Sequence, residues 1–272
     1  MPSKCEDRPV PLWLWPNLLS LDAPIVAVLW QSFLAYRLSV PLRPAGRLVL
    51  GLTVWAIYLL DRLLDEREPM SPTEPARHRF YRRHWHTMLV LMAIVASVDA
   101  LIAILFLRPA VLQDGLIPLA GVSMYLAIFH AYGRSVAFPK EIAAALLFTA
   151  GTFLTAWATR PRPGPSSLLL PALAFFTLCL ANIIAIEAWE QRDPCLPLHP
   201  LTHWLARTYL LWVPAVVMVC AFLGRNEWYA SIAVSGGACA ILFWFGRRIS
   251  LDARRVLVDG VLLSPILFLM LR

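Results

Sequence analysis

Nine apolar segments, each approaching the length needed to cross a bilayer, constrain the fold of this chain more than any other sequence feature. They cover residues 19–37, 47–65, 87–107, 111–132, 139–158, 167–187, 202–223, 228–246 and 255–271. A transmembrane helix needs about 20 predominantly apolar residues, and the polar connections between these segments are short. The sequence therefore predicts an all-α, polytopic membrane protein in which residues 1–272 form one domain of about nine transmembrane helices.

The composition agrees with this architecture. Of the 272 residues, 59% are hydrophobic and only 15% are charged, whereas soluble domains contain about 25% charged residues. The net charge of +7 comes from basic residues scattered among the connections, without the aromatic-interleaved basic patch typical of nucleic-acid binding. We therefore expect membrane lipids and no nucleic acid among the partners, and the oligomeric state stays open.

The polar parts of the chain predict an orientation. Residues 1–18 are predicted to form an interfacial segment, because Trp13 and Trp15 suit the membrane–water boundary. The two longest polar connections, 66–86 and 188–201, are predicted to be cap loops on one side. About two thirds of the 24 lysines and arginines fall on that side, and basic residues favour the cytoplasmic face. We therefore predict a protein of the cell (inner) membrane whose cap loops face the cytoplasm.

Two carboxylates, Asp61 and Asp65, stand at the end of the second apolar segment. The uncharged run before Asp61 covers only residues 48–60, which is too short to span, so the helix must continue and bring both carboxylates to membrane depth. Spaced four residues apart, they share one helix face and repel each other unless a cation lies between them. Oxygen ligands of this kind suit Mg²⁺. The alternative is a helix end that Arg62 and Arg67 neutralise.

A second acidic cluster ends the sixth apolar segment. If the helix continues far enough, Glu187, Glu190 and Asp193 follow one another at intervals of three residues. Asn182 then falls within about 20° of Asp193 around the helix axis. An amide beside three carboxylates is typical of a coordination shell, and the alternative is a solvated helix end. The candidate metal ligands are therefore Asp61, Asp65, Asn182, Glu187, Glu190 and Asp193.

Two further polar residues lie within apolar segments. Asp99 is in the middle of the third segment, where an ionisable side chain is a candidate for function. It is either a proton acceptor in a cavity or a protonated carboxyl bonded to a neighbouring helix. His130, near the end of the fourth segment, is interpreted as an interfacial polar residue rather than a base.

The placement of acidic motifs after the second and sixth of nine segments resembles the UbiA-type intramembrane prenyltransferases. The resemblance covers about residues 45–200. It includes Tyr132, Arg134 and Lys140, which are similar to a family segment in which a Tyr and basic residues precede a Lys that begins an apolar helix.

The chain departs from the family within both acidic motifs. Ile57 and Tyr58 stand where the first family motif has Asn and Asp, and Ile183 replaces the Asp that commonly follows the Asn of the second motif. The resemblance is therefore to a divergent member whose Asp-rich motifs are reduced.

The resemblance implies a UbiA-like helical bundle and a Mg²⁺-dependent transfer of an isoprenoid chain. The donor would be a prenyl diphosphate, and the acceptor an apolar or aromatic molecule. The implied catalytic residues are Asp61, Asp65, Glu187, Glu190 and Asp99. The implied diphosphate-binding residues are Arg77, Tyr132, Arg134 and Lys140. A terpene cyclase of the same superfamily is one alternative function, and a non-catalytic lipid-binding or transport protein that retains the fold is another.

Overall fold

The protein folds into a bundle of helices. The computed structural model describes residues 11–65, 76–132, 138–159, 166–190, 199–223 and 226–270. Within these ranges 90% of the residues are helical and none forms a strand. The α-helices are α1 (Trp15–Leu18), α2 (Asp22–Arg37), α3 (Pro44–Asp65), α4 (Ala76–Arg83), α5 (Trp85–Phe106), α6 (Pro109–Tyr132), α7 (Lys140–Thr159), α8 (Ser166–Glu190), α9 (Pro200–Arg207), α10 (Tyr209–Phe222), α11 (Glu227–Phe245), α12 (Leu251–Gly260) and α13 (Pro265–Met270).

Five of these helices are long and apolar enough to cross a membrane. They are α5, α6, α7, α8 and α11, and the number among the described residues rises to seven if two bent pairs each form one span. One bent pair joins the N-terminal turns to α2 at 79°, and the other joins α9 to α10 at 69°. The all-α fold of the described residues is therefore confirmed, with five to seven candidate spanning helices. A count of nine and a UbiA-like bundle stay predictions.

The ninth predicted segment differs most from expectation. Residues 255–271 were expected to form one helix, but the chain there is divided between α12 and α13, with a short 3₁₀ turn, Val261–Leu263, between them. A helix as short as α12 cannot span a bilayer by itself.

The predicted cap loops also contain helical structure. Residues 66–86 were expected to be a loop, yet α4 forms within them and α5 already begins at Trp85. Likewise α8 continues to Glu190, inside the predicted loop 188–201. The Tyr81 hydroxyl lies 3.0 Å from the Ser20 hydroxyl, which fixes α4 against the N-terminal turns.

Large apolar side chains point outward from the bundle. On α5, Val90, Leu101 and Leu105 are 58%, 57% and 62% exposed, and Leu211 and Phe222 of α10 are similarly exposed at 75% and 89%. A soluble monomer rarely exposes so much contiguous apolar surface. These faces are consistent with contact to lipid.

An aromatic cluster joins α2, α8 and α11. The Trp30 ring lies 4.9 Å from the Phe175 ring and 5.1 Å from the Trp228 ring, centroid to centroid. Both buried indoles donate hydrogen bonds, Trp30 to the Leu262 carbonyl at 2.8 Å and Trp228 to the Pro171 carbonyl at 3.2 Å. Buried indole N–H groups need such acceptors, so this cluster fixes one wall of the cavity described next.

Candidate functional site

One cavity of about 1510 Å³ receives both acidic clusters. Its walls come from α2, α3, α5, α6, α7 and α8, with α4 and α12 closing the charged end. Eight of the residues selected from the sequence line it: Asp61, Asp65, Arg77, Asp99, Lys140, Asn182, Glu187 and Glu190. Arg134 and Asp193 lie outside the described residues, as does the side chain of Tyr132.

Contacts between polar and charged side chains bring the ends of five helices to the same end of the bundle. His130 Nε2 lies 3.5 Å from Asp65 Oδ1, which joins α6 to α3. Lys140 Nζ lies 3.5 Å from Glu187 Oε2, which joins the start of α7 to the end of α8. Arg77 Nη2 lies 3.4 Å from Glu190 Oε2 and adds α4 to this set. The cavity therefore has one strongly charged end.

The rest of the cavity is mainly apolar. It follows α3 from Asp61 back to Gly46, which is about 22 Å at the rise of an α-helix. Opposite this stretch, α5 and α6 contribute Ile104, Leu112 and Leu116. A ligand that fills the cavity therefore needs a charged head and a long apolar tail.

The first acidic cluster includes a histidine. Asp61, Asp65 and His130 each place one oxygen or nitrogen atom so that the three atoms lie within 4.8 Å of one another. His130 Nδ1 lies 2.9 Å from the Leu126 carbonyl. A carbonyl only accepts hydrogen bonds, so Nδ1 carries the proton and Nε2 faces the carboxylates. Arg62, 3.5 Å from Asp65, is a further cation at this cluster.

The second acidic cluster is paired with basic side chains instead. Glu187 is balanced by Lys140, while Glu190 contacts both Arg77 and Arg255. Arg255 is only 1% exposed. These carboxylates can bind a metal only if the ion pairs open, so the role predicted for them as ligands stays a prediction.

Asn182 of the same cluster faces α12. Its amide nitrogen donates to the Val258 carbonyl at 3.0 Å and to Asp259 Oδ1 at 3.1 Å. The amide is thereby used to hold α8 against α12, next to the cavity that it lines.

Buried guanidinium groups at the charged end keep unused donors. Nε and Nη1 of Arg255 and Nε of Arg77 are buried without a hydrogen-bond partner in the part of the chain that the structure describes. Burial, followed by the charge of Arg62, lowers the pKa of Arg77 below its usual value. Burial, followed by the charge of Arg77, lowers the pKa of Arg255. An anion between the two would supply acceptors and relieve this repulsion.

A histidine lies beside these arginines. His78 of α4 lines the cavity, and burial together with the charge of Arg77 lowers its pKa to about 3. The imidazole is therefore neutral at physiological pH.

Asp99 lies in the cavity wall and is bonded to a neighbouring helix, so its role as a proton acceptor stays a prediction. It lines the cavity, and its Oδ2 accepts a 2.6 Å hydrogen bond from Thr53 of α3. Asp99 Oδ1 is buried without a partner among the described residues.

Several polar residues of the site were missed by sequence reasoning. Asn17 donates to Asp22 at 2.8 Å, and Asp22 is hydrogen-bonded to Asp259. Both carboxyls line the cavity, and burial together with Asp22 raises the pKa of Asp259. Nothing in the sequence pairs these two aspartates, which lie in the first and ninth apolar segments. The signal available for Arg255 was its i, i+4 spacing from Asp259.

Comparison with known protein families, with characterised proteins and with experimentally determined structures found no match for this chain.

Proposed function

We propose that this protein is an intramembrane prenyltransferase that moves an isoprenoid chain from a prenyl diphosphate to a lipophilic acceptor. The observation that carries the proposal is the amphiphilic cavity, in which one wall of charged side chains continues into an apolar interior. A prenyl diphosphate has the same division between a charged head and an apolar chain. The sequence resemblance to the UbiA-type enzymes points to the same substrate class, and we place the charged end on the cytoplasmic face.

The charged end would bind the diphosphate. Within the described ranges, Arg77 and Arg255 have buried donors without partners, and guanidinium groups form strong bidentate contacts with phosphate oxygens. Lys140, 54% exposed at its side chain, can turn from Glu187 toward the ligand. A divalent ion held at Asp61 and Asp65 would neutralise charge on the leaving diphosphate, and the sequence resemblance implies Mg²⁺ as that ion.

In the reaction, the bond between C1 of the prenyl chain and the diphosphate oxygen breaks, and the electron pair leaves with the diphosphate. The arginines stabilise the charge that develops on that oxygen. Aromatic residues of the wall, Tyr125 and Phe148 among them, shelter the allylic cation from water and offer it their π faces. The acceptor then forms the new bond to C1 and loses a proton, for which Asp99 is the candidate acceptor within the cavity.

The test is the release of diphosphate by the purified full-length protein in nanodiscs. Geranyl, farnesyl and geranylgeranyl diphosphates are supplied with Mg²⁺ or Mn²⁺, with and without a membrane-lipid extract as the source of acceptor. We expect prenyl-dependent release, and we expect Asp65→Asn to reduce it at least about 100-fold, as loss of a charge-stabilising group typically does.

Asp114→Asn is the matched control, because Asp114 is on α6 with His130 but lies outside the cavity lining. This variant should retain wild-type rates. Tight binding of the diphosphates without turnover under any of these conditions would contradict the transferase and leave a lipid-binding protein. Turnover to cyclic hydrocarbons without added acceptor would replace the transferase by a cyclase.

A further inference from the structure

The first acidic cluster contains a histidine, which is not a ligand that Mg²⁺ prefers. Asp61 and Asp65 lie one turn apart on α3, and His130 comes from α6, near the end of that helix. All three are half-buried and line the cavity. Two elements separated by more than sixty residues thus bring two carboxylates and one imidazole to the same place.

The orientation of His130 determines which of its atoms is available. Because Nδ1 donates to the Leu126 carbonyl, Nε2 is the ring atom that faces the carboxylates, at 3.5 Å from Asp65 Oδ1 and 3.9 Å from Asp61 Oδ1. A metal-binding histidine usually donates its other ring N–H to a carbonyl or carboxylate in this way.

Three electron-rich atoms at these distances need a cation between them. Ligand atoms about 2.1 Å from a common ion, at tetrahedral or octahedral angles, lie about 3.0–3.4 Å from one another. The His130–Asp65 distance is close to this range and the His130–Asp61 distance needs a small closure. The competing arrangement is a protonated His130, in which a proton provides the positive charge.

We propose that Asp61, Asp65 and His130 bind one divalent ion of borderline softness, of the class of Mn²⁺, Fe²⁺, Co²⁺ and Zn²⁺, in preference to Mg²⁺. Imidazole nitrogen favours these ions, while Mg²⁺ selects oxygen ligands and retains its water. The three ligands leave coordination positions open toward the cavity, where an anionic head group can enter. The proposal concerns one ion, because Glu187 and Glu190 of the second acidic cluster already pair with Lys140, Arg77 and Arg255.

This inference concerns binding of the ion and does not rest on the proposed function, so the experiment contains no prenyl substrate. The full-length protein in detergent is stripped of metal with a chelator and then titrated with Co²⁺, Mn²⁺ or Mg²⁺. Binding is followed by the visible absorption of Co²⁺, by the electron paramagnetic resonance of Mn²⁺ and by calorimetry. We expect one Co²⁺ or Mn²⁺ per chain, bound at least about ten-fold more tightly than Mg²⁺.

Three variants identify the nitrogen ligand. His130→Gln should weaken Co²⁺ and Mn²⁺ binding at least about ten-fold and narrow the preference over Mg²⁺. His86→Gln, which changes an exposed histidine at the start of α5, should leave binding unchanged. His130→Cys should retain Co²⁺ and add an intense near-ultraviolet thiolate-to-metal band, which reports a direct bond even if His130→Gln folds poorly.

Several outcomes overturn the proposal. They are Mg²⁺ binding as tight as Mn²⁺ binding, unchanged Co²⁺ affinity in folded His130→Gln, absence of the thiolate band in His130→Cys, and absence of stoichiometric binding in the wild type. Absence of binding in the wild type would indicate that a protonated His130, rather than a metal ion, provides the positive charge beside Asp61 and Asp65.

Discussion

The two acidic clusters lie side by side at the charged end of one cavity, but different kinds of side chain contact their carboxylates. Glu187 and Glu190 of α8 meet basic side chains from three other helices. Asp61 and Asp65 of α3 meet a histidine whose other nitrogen is already bonded to a carbonyl, with Arg62 as the nearby cation. Carboxylates at similar positions in the sequence therefore have different chemistry available to them.

This difference suggests that one half of the charged end binds an anion and the other half binds a cation. Where the carboxylates are paired, the guanidinium groups are held in place and keep donors for an anion. Where the carboxylates face His130, three possible metal ligands lie within 4.8 Å of one another. Together the two halves suit a ligand whose anionic head contacts arginine on one side and a metal on the other.

The largest expected effect comes from Glu190→Gln, which removes the carboxylate that Arg77 and Arg255 share. Because Arg255 is buried, its charge loses its balancing partner, and the free energy of unfolding should fall by about 3 kcal/mol. Thermal denaturation of the detergent-solubilised protein, followed by tryptophan fluorescence, measures this. A melting temperature equal to that of the wild type would show that the pair is not holding α4 and α12 to α8.

The same carboxylate-to-amide change in the first cluster should not lower the free energy of unfolding. In metal-free protein, Asp61→Asn removes one of two like charges on the same face, and stability should stay equal or rise by up to about 1 kcal/mol. The wild type should gain stability when Co²⁺ is added, and Asp61→Asn should not. If metal-free Asp61→Asn is destabilised as much as Glu190→Gln, then the carboxylates of both clusters form stabilising ion pairs and the comparison fails.

The smallest effect is expected for Lys140→Gln. Lys140 pairs with Glu187 at an exposed position, and such pairs contribute less than about 1 kcal/mol. The variant should unfold at nearly the wild-type temperature, so that a reduced affinity for a diphosphate head can be read without a folding defect. A loss of stability similar to that of Glu190→Gln would mean that this pair, too, is structural.

The sequence predicted which helices carry the site better than it predicted which side chains contact one another there. Apolar segment lengths placed α3 and α8, and the position of Asp61 beyond a short uncharged run predicted that this carboxylate would enter the bundle. The pairing of Arg255 with Glu190, however, depends on which faces of α12 and α8 meet. No periodicity along one helix reports that choice.

His130 and Asn182 illustrate the same limit. His130 was interpreted from the sequence as an interfacial polar residue because it lies near the end of an apolar segment. Its neighbours come from α3, and only the packing of α6 beside α3 brings them together. The helical position of Asn182 predicted a place beside carboxylates, and its amide does bond Asp259, but that residue comes from α12 rather than from its own helix.

The central claim is that the charged end and the apolar interior bind one amphiphilic ligand. The most direct measurement is the equilibrium binding of a non-ionising farnesyl thiodiphosphate to wild-type protein, to Arg255→Gln and to Arg43→Gln, whose side chain is exposed just before α3. The account predicts tight binding to the wild type and to Arg43→Gln, with at least about ten-fold weaker binding to Arg255→Gln. It also predicts that farnesol and inorganic diphosphate each compete only weakly. Equal affinity for all three proteins, or full competition by farnesol alone, would contradict it.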